Sequence, residues 1–144
     1  MPKPPWKAIH CLLFAASLVG VATPLLRADE RGDQLLAATR KGDLATVKRL
    51  LDEGANVNSR TRYDSTPLFF ACDRGNLEMV RLLIERGADL NVKDNFYNAT
   101  ALTWAMSKEH HEIVALLVEK GVDVTDALAD SVREGDRKLL QLIL

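Results

Sequence analysis

Residues 66–91 read TPLFFACDRGNLEMVRLLIERGADLN, and this stretch contains two short helical patterns separated by one glycine. Pro67 occupies a first helical position, where its missing N–H is no loss, and the Thr66 hydroxyl can accept from an orphan backbone N–H. Gly75 can take the left-handed conformation that ends a helix. Asn76 then caps a second helix, whose apolar residues recur at helical spacing. The stretch therefore predicts two consecutive short helices.

The same pattern recurs on both sides of this stretch. Glycine, leucine, valine, a Leu-Leu pair and glycine-alanine repeat with a spacing of 33 between residues 42–56 and 75–89. The next copy, residues 109–123, follows at a spacing of 34, and a partial copy begins at Gly135. A fixed period of this length is typical of a stack of small units, each packed on its neighbours.

These units resemble ankyrin repeats. The resemblance rests on TPLFFA at 66–71, the turn at 75–77 and GADLN at 87–91, with Phe69 where the family motif has histidine. It covers residues 33–144. It implies an all-α, ankyrin-type solenoid of antiparallel helix pairs joined by β-hairpin-like loops that project to one side.

Several units depart from the pattern. The first opens on Asp33 without the Thr-Pro start. In the third, Glu109 stands where other units have glycine, so a non-glycine residue must close the helix at a cost of about 1 kcal/mol. The last unit follows a tight turn at 123–125 instead of a projecting loop. We expect residues 29–144 to form one domain of three repeats and a shortened C-terminal helix pair.

Residues 1–28 differ from the rest of the chain. Two lysines precede an almost wholly apolar run at 11–26, and a polar stretch follows. This arrangement is typical of a secretory signal peptide. We expect cleavage after Ala28, with Ala22 as the second choice, and export to the periplasm or beyond the cell. An uncleaved membrane anchor is the alternative, but a run interrupted by Pro24 is shorter than the roughly 20 residues that span a bilayer.

Composition and motifs argue against several functions. The 144 residues carry a formal net charge of −1, whereas nucleic-acid binders normally show a basic excess. His110 and His111 are adjacent and point about 100° apart on a helix, so they do not suit a shared metal and are expected at a solvated helix start. Cys72 is expected to be a buried thiol. We predict no catalytic residue, cofactor or metal. Asn98 starts a glycosylation sequon that matters only in a eukaryotic secretory pathway.

The aromatic residues beyond position 28 all lie between positions 63 and 104. They fall in predicted loops or first helices, which line the concave side in the family that the chain resembles. Rigid aromatics flanked by arginine and polar groups are typical of a protein-binding hot spot. We expect another protein to bind Tyr63, Phe70, Phe96, Tyr97 and Trp104. The flanking residues expected to contribute are Arg60, Arg62, Arg74, Lys93, Asn95 and Lys108.

Two alternatives stay open. The loop aromatics could pack on neighbouring loops, and Phe69 is expected to fill the core. The protein could also self-associate as a homodimer through its apolar C-terminal helix, unless that helix ends the stack with its apolar stripe turned inward. The apolar residues concerned are Leu139, Leu140, Leu142, Ile143 and Leu144.

Overall fold

The computed structural model describes residues 28–135, 137, 140, 141 and 144. The predicted signal peptide lies outside these residues, apart from Ala28. The described residues form helices and no strand, which confirms the predicted all-α class. The helices are α1 (Ala28–Lys41), α2 (Leu44–Asp52), α3 (Pro67–Arg74), α4 (Leu77–Glu85), α5 (Ala101–Ser107), α6 (His111–Glu119) and α7 (Thr125–Glu134).

The helices pack as a stack of pairs. α1 packs on α2, α3 on α4 and α5 on α6, so each pair is formed by neighbours in the chain. The first helices of the pairs also pack on one another in the order α1, α3, α5, and α4 packs on α6. This arrangement is the helix-pair solenoid that the repeat period predicts.

The core repeats with the same period as the sequence. Leu35, Leu68 and Leu102 hold equivalent places in the first helices, and all three are fully buried. In the second helices, buried valine and leucine recur three residues apart, which is helical spacing for one face. These residues are Val47, Leu50, Val80, Leu83, Val114 and Leu117. Each pair therefore contributes one apolar layer, and the layers join into a single continuous core.

Helix ends at the predicted turns have the expected geometry. Gly75 follows α3 with φ of 73°, and the side chain of Asn76 accepts a hydrogen bond from the Met79 backbone N–H at 3.1 Å. Glu109 follows α5 with φ of 57°, which confirms that a non-glycine residue closes this helix in the left-handed conformation. α7 begins at Thr125, the last residue of the predicted tight turn, and the Thr125 backbone N–H donates to the Asp123 carboxylate at 2.9 Å.

The predicted helix start at Thr66 and Pro67 is confirmed, but the first unit does not open on Asp33 and the Thr66 hydroxyl does not cap its helix. α1 begins at Ala28 and not at Asp33, and Arg31 ties this additional turn to the rest of the domain by donating to a backbone carbonyl just after α2 at 2.9 Å. The Thr66 hydroxyl makes no capping hydrogen bond to α3. The reason is that the Phe69 backbone N–H, its natural donor, already donates to the Thr66 carbonyl at 3.1 Å.

The loops before α3 and α5 are closed in the same way and lie side by side. The Thr61 N–H donates to the Ser65 carbonyl in the first loop, and the Asp94 N–H donates to the Ala99 carbonyl in the second, each at 3.0 Å. The Asn95 N–H then donates across to a carbonyl of the first loop at 3.1 Å. This bond fixes one projecting loop against the next.

Candidate functional site

Six aromatic rings form a continuous chain of contacts on the loop side of α3 and α5. The distances between ring centroids are 6.4 Å for Phe70–Phe69, 5.3 Å for Phe69–Trp104, 5.9 Å for Trp104–Tyr97, 4.6 Å for Tyr97–Phe96 and 6.1 Å for Phe96–Tyr63. All six rings line one cavity of about 380 Å³, which we call the aromatic groove. Tilted and edge-to-face pairs at these distances are favourable contacts.

The rings differ in how far solvent reaches them. Phe69 is buried, as predicted for a core residue, but it also lines the groove. Phe70 and Trp104 are half-buried. Tyr63 is 44% exposed, Phe96 68% and Tyr97 66%. The groove therefore has a floor anchored in the core and a rim of rings that face water.

The loop that carries Phe96 and Tyr97 is organised by one buried carboxylate. Oδ1 of Asp94 accepts hydrogen bonds from the backbone N–H groups of Phe96, Tyr97 and Ala99, at 3.2, 2.7 and 3.4 Å. Sequence analysis missed Asp94, although an aspartate two residues before the aromatic pair is a recognised turn signal. Thr61 does the same in the preceding loop, where its hydroxyl accepts from two backbone N–H groups.

The structure separates the predicted flanking residues into those beside the groove and those bound elsewhere. Arg62 lies over the ring of Tyr63 at 4.7 Å, and the Asn95 side chain donates to the Arg62 carbonyl and so connects the two loops. Lys108 lies near the groove wall, with Nζ 3.7 Å from the Asp73 carboxylate. The other three cationic residues have partners of their own. Arg60 forms an ion pair with Asp64, Lys93 forms one with Asp126, and Arg74 donates a hydrogen bond to the Arg40 backbone carbonyl.

Arg40 also lies at the groove, and sequence analysis missed it. Its guanidinium carbon lies 4.4 Å from the ring centroid of Phe70. Arg40 belongs to α1, one repeat before the ring, so only the stacking of α1 on α3 brings them together. Ser65 and Asp73 line the groove as well and carry no sequence motif of their own.

The remaining candidate residues have structural surroundings. Cys72 is fully buried, and burial raises the pKa of its thiol far above the usual range, which disfavours the reactive thiolate. His111 is exposed as predicted, but His110 is half-buried, with a ring nitrogen 3.2 Å from the Asp73 carbonyl oxygen. The expectation that both histidines are solvated was therefore wrong for His110, because its ring packs against Gly75 of the previous repeat.

Two further observations concern the described residues as a whole. No three histidine, cysteine, aspartate or glutamate side chains among them come together in a way that could hold a metal ion. Within the same residues, no helix is long and apolar enough to cross a membrane.

A stack of helix pairs with two joined, ring-bearing loops defines a helical repeat protein with one open groove. Residues 34–128 match the family described as "Ankyrin repeats (3 copies)". The chain belongs to the ankyrin repeat family. Members of this family are in general non-catalytic modules that mediate protein–protein interactions.

Two curated proteins share part of the repeat region. The chain is 41% identical over 51 residues to mouse "Ankyrin repeat, SAM and basic leucine zipper domain-containing protein 1", which covers 35% of this chain and 11% of the mouse protein. It is 42% identical over 43 residues to "Ankyrin repeat-containing protein YIL001W" of Saccharomyces cerevisiae, which covers 30% of this chain and 8% of the yeast protein. These matches thus span about a tenth of each relative's length.

Proposed function

We propose that this protein binds a partner protein through the aromatic groove and has no catalytic activity. The observation that supports this function is the unbroken chain of six rings around one cavity, three of which remain 44–68% exposed. A contiguous apolar patch of this kind costs free energy in water, and on soluble proteins such patches usually mark interaction sites. Each aromatic side chain can bury roughly 150–250 Å² when a partner covers it.

The groove is also organised before any partner arrives. The Asp94 carboxylate holds the backbone at Phe96 and Tyr97, and Trp104 packs on the buried ring of Phe69. Tyrosine, phenylalanine and tryptophan have few rotatable bonds, so little conformational entropy remains to be lost on binding. A rigid aromatic surface with an anchored floor is therefore suited to act as a hot spot.

The test compares two full-length variants in quantitative affinity capture from the native host. Phe96→Ala combined with Tyr97→Ala removes two exposed rings and leaves the buried floor intact. Lys48→Ala is the control, because this residue of α2 is exposed and does not line the aromatic groove. We expect the double variant to retain bound proteins at least about tenfold less than the control, as expected for hot-spot residues. Equal retention by both variants, with equal helical circular dichroism, would contradict the proposal.

Export is the second part of the proposal and is supported by the basic-then-apolar pattern of residues 1–28. Cleavage after Ala28 would remove only the first residue of α1. N-terminal sequencing of protein recovered from the periplasmic or external fraction should begin at Asp29, or at Thr23 for the second choice. An intact N-terminus in the membrane fraction would favour the uncleaved anchor. Asn98 is exposed and would be open to glycosylation in a eukaryotic host.

Self-association through the C-terminal helix is the alternative function. It is supported by Val132 and Leu144, which are 66% and 91% exposed, while Leu140 is half-buried. The other tail residues named in the prediction, Leu139, Leu142 and Ile143, lie outside the described residues. Light scattering should then show a dimer that Leu144→Lys converts to a monomer. A monomeric parent protein at micromolar concentration would contradict self-association.

A further inference from the structure

We infer that the segment bound in the aromatic groove carries a carboxylate beside a large apolar side chain. The inference rests on the proposed function and names the chemistry of the partner. A ring-lined cavity by itself would equally suit a cationic side chain, because aromatic faces attract cations. The charged groups around the groove decide between the two ligands.

The carboxylates of the groove already have partners. Asp94 is 4% exposed, and its Oδ1 accepts three backbone N–H groups. Asp73 lies 3.7 Å from Nζ of Lys108, and its backbone carbonyl faces His110. A cationic ligand would have to compete with Lys108 and with the loop backbone for these two groups. The negative charge at the groove is therefore largely committed to the protein itself.

Two arginines beside the groove, in contrast to these carboxylates, have no partner of opposite charge among the described residues. The guanidinium carbon of Arg40 lies 4.4 Å from the ring centroid of Phe70, that of Arg62 lies 4.7 Å from the ring centroid of Tyr63, and both side chains are exposed. Among the described residues, no carboxylate lies within 4.0 Å of either guanidinium, whereas Arg49, Arg60 and Arg86 each have one. An arginine held over an aromatic ring can still use the N–H groups at the edge of its guanidinium to bind a carboxylate.

The two arginines line a second cavity that adjoins the aromatic groove. This cavity measures about 510 Å³, and Arg40, Arg62 and Tyr63 are among its lining residues. Tyr63 lines the aromatic groove too, so its ring forms the boundary between the two cavities. Among the residues that the structure describes, Asp33 is the one carboxylate lining the second cavity, against the two positive charges of Arg40 and Arg62.

One extended segment fits both cavities together. Its large apolar side chain would lie among the six rings, and a neighbouring aspartate, glutamate or terminal carboxylate would lie across Tyr63, on Arg40 and Arg62. Opposite charge at this site would fix the direction of the segment and select among partners more than it would add affinity. The chain as a whole has a formal net charge of −1, so its long-range field does not favour a carboxylate ligand. The preference for a carboxylate must therefore come from the local pair Arg40 and Arg62.

The test uses fluorescein-labelled peptides of one scaffold, in which a tryptophan is followed by Glu-Glu, Gln-Gln or Lys-Lys. Fluorescence anisotropy measures their binding to the full chain at low salt. We expect the glutamate peptide to bind about fivefold more tightly than the glutamine peptide, as two partly exposed ion pairs would allow, and the lysine peptide to bind most weakly. Added salt should reduce the difference, because exposed ion pairs are screened.

Matched variants assign the effect to the arginines. Arg40→Gln with Arg62→Gln should abolish the preference, so that the glutamate and glutamine peptides bind this variant equally. Arg81→Gln is the control, since Arg81 lines a separate pocket between α4 and α6. It should keep the preference.

The possible failures are distinguishable. Equal binding of all three peptides, or tighter binding of the lysine peptide, would overturn the inference. If the variant that combines Phe96→Ala with Tyr97→Ala then bound every peptide more weakly than the parent, the proposed function would stand without the inference about the carboxylate. No binding of any peptide at about 0.5 mM, a concentration that detects millimolar affinity, would also overturn the inference. Capture from the native host then decides the proposed function separately.

Discussion

Glu109 has a left-handed backbone, with φ of 57°, where Gly42 and Gly75 end the first helices of the preceding repeats at 77° and 73°. The left-handed conformation costs an L-residue roughly 1–2 kcal/mol. Glycine avoids this cost, but it lowers the stability of the folded state by about 0.5–1 kcal/mol because it gives the unfolded chain more conformational freedom. Glu109→Gly should therefore raise the free energy of unfolding by about 0.5–1 kcal/mol and Tm by about 2–5 °C.

Two reverse substitutions separate strain from steric contact. A Cβ at Gly42 would meet no atom within 4 Å, so Gly42→Ala should introduce strain alone and lower stability by about 0.5–1 kcal/mol. A Cβ at Gly75 would lie 2.5 Å from Cε1 of His110, so this ring would have to leave its contact with the Asp73 carbonyl. Gly75→Ala should therefore cost about another 1–2 kcal/mol.

Urea unfolding followed by circular dichroism measures all three variants on one scale. In a His110→Ala background, where the ring and its contact with Asp73 are already absent, adding Gly75→Ala should lower stability by about as much as Gly42→Ala does in the parent. The reasoning would be refuted if Glu109→Gly lowered stability. It would equally be refuted if Gly75→Ala and Gly42→Ala lowered stability by the same amount.

Three further predictions concern bonds within and between repeats. Asn58→Ala should lower the free energy of unfolding by about 1 kcal/mol in the same assay, because Oδ1 of Asn58 accepts a hydrogen bond from the Asp89 N–H of the next repeat at 2.8 Å. A Tm equal to that of the parent would contradict this prediction. Hydrogen bonds from Thr46 lower the pKa of Asp43 below 3.8, so its stabilising effect is full above about pH 4 and is lost as pH falls through the lower folded-state value. Asp43→Asn should flatten this acid-side loss of stability in unfolding curves from about pH 5 to pH 2, and an unchanged pH dependence would assign the loss to other carboxyls. In a variant whose N-terminal cysteine is replaced by serine, Cys72 should react with a thiol reagent at pH 8 only after denaturant is added, because the native thiol is fully buried. Rapid labelling of the native protein would disprove this burial.

The features predicted correctly from the sequence are local ones. The repeat period follows from the positions of glycine and leucine, and the cap at Asn76 follows from a residue type that bonds to its own neighbouring backbone. The closure of α5 by Glu109 follows from aligning one repeat with the next. Thr66 precedes α3 as predicted, but its hydroxyl accepts no capping bond, because two acceptors on the same residue compete for one N–H and the carbonyl receives it.

The candidate site was predicted in part for the same reason. The five aromatic residues named from the sequence do line one groove, because they share a register that the repeat period carries into neighbouring loops. The charged residues could not be placed in this way. Arg60 and Lys93 pair with carboxylates that do not line the groove, whereas Arg40, from the preceding repeat, lies over the ring of Phe70.

The sequence by itself determined the repeating unit, its turns and the family, because each depends on contacts between residues close together in the chain. Only the tertiary structure decided how the rings join around a cavity and which arginines beside it have no carboxylate partner within the described part of the chain. These features arise where one repeat stacks on the next, so they depend on residues about 33 positions apart. The hydrogen bonds from the Asp89 N–H to Asn58 and from the Asp123 N–H to Asn91 are contacts of this kind. Periodicity predicts that repeats stack, but the free energy of side chains at their interface determines which groups are left for a partner.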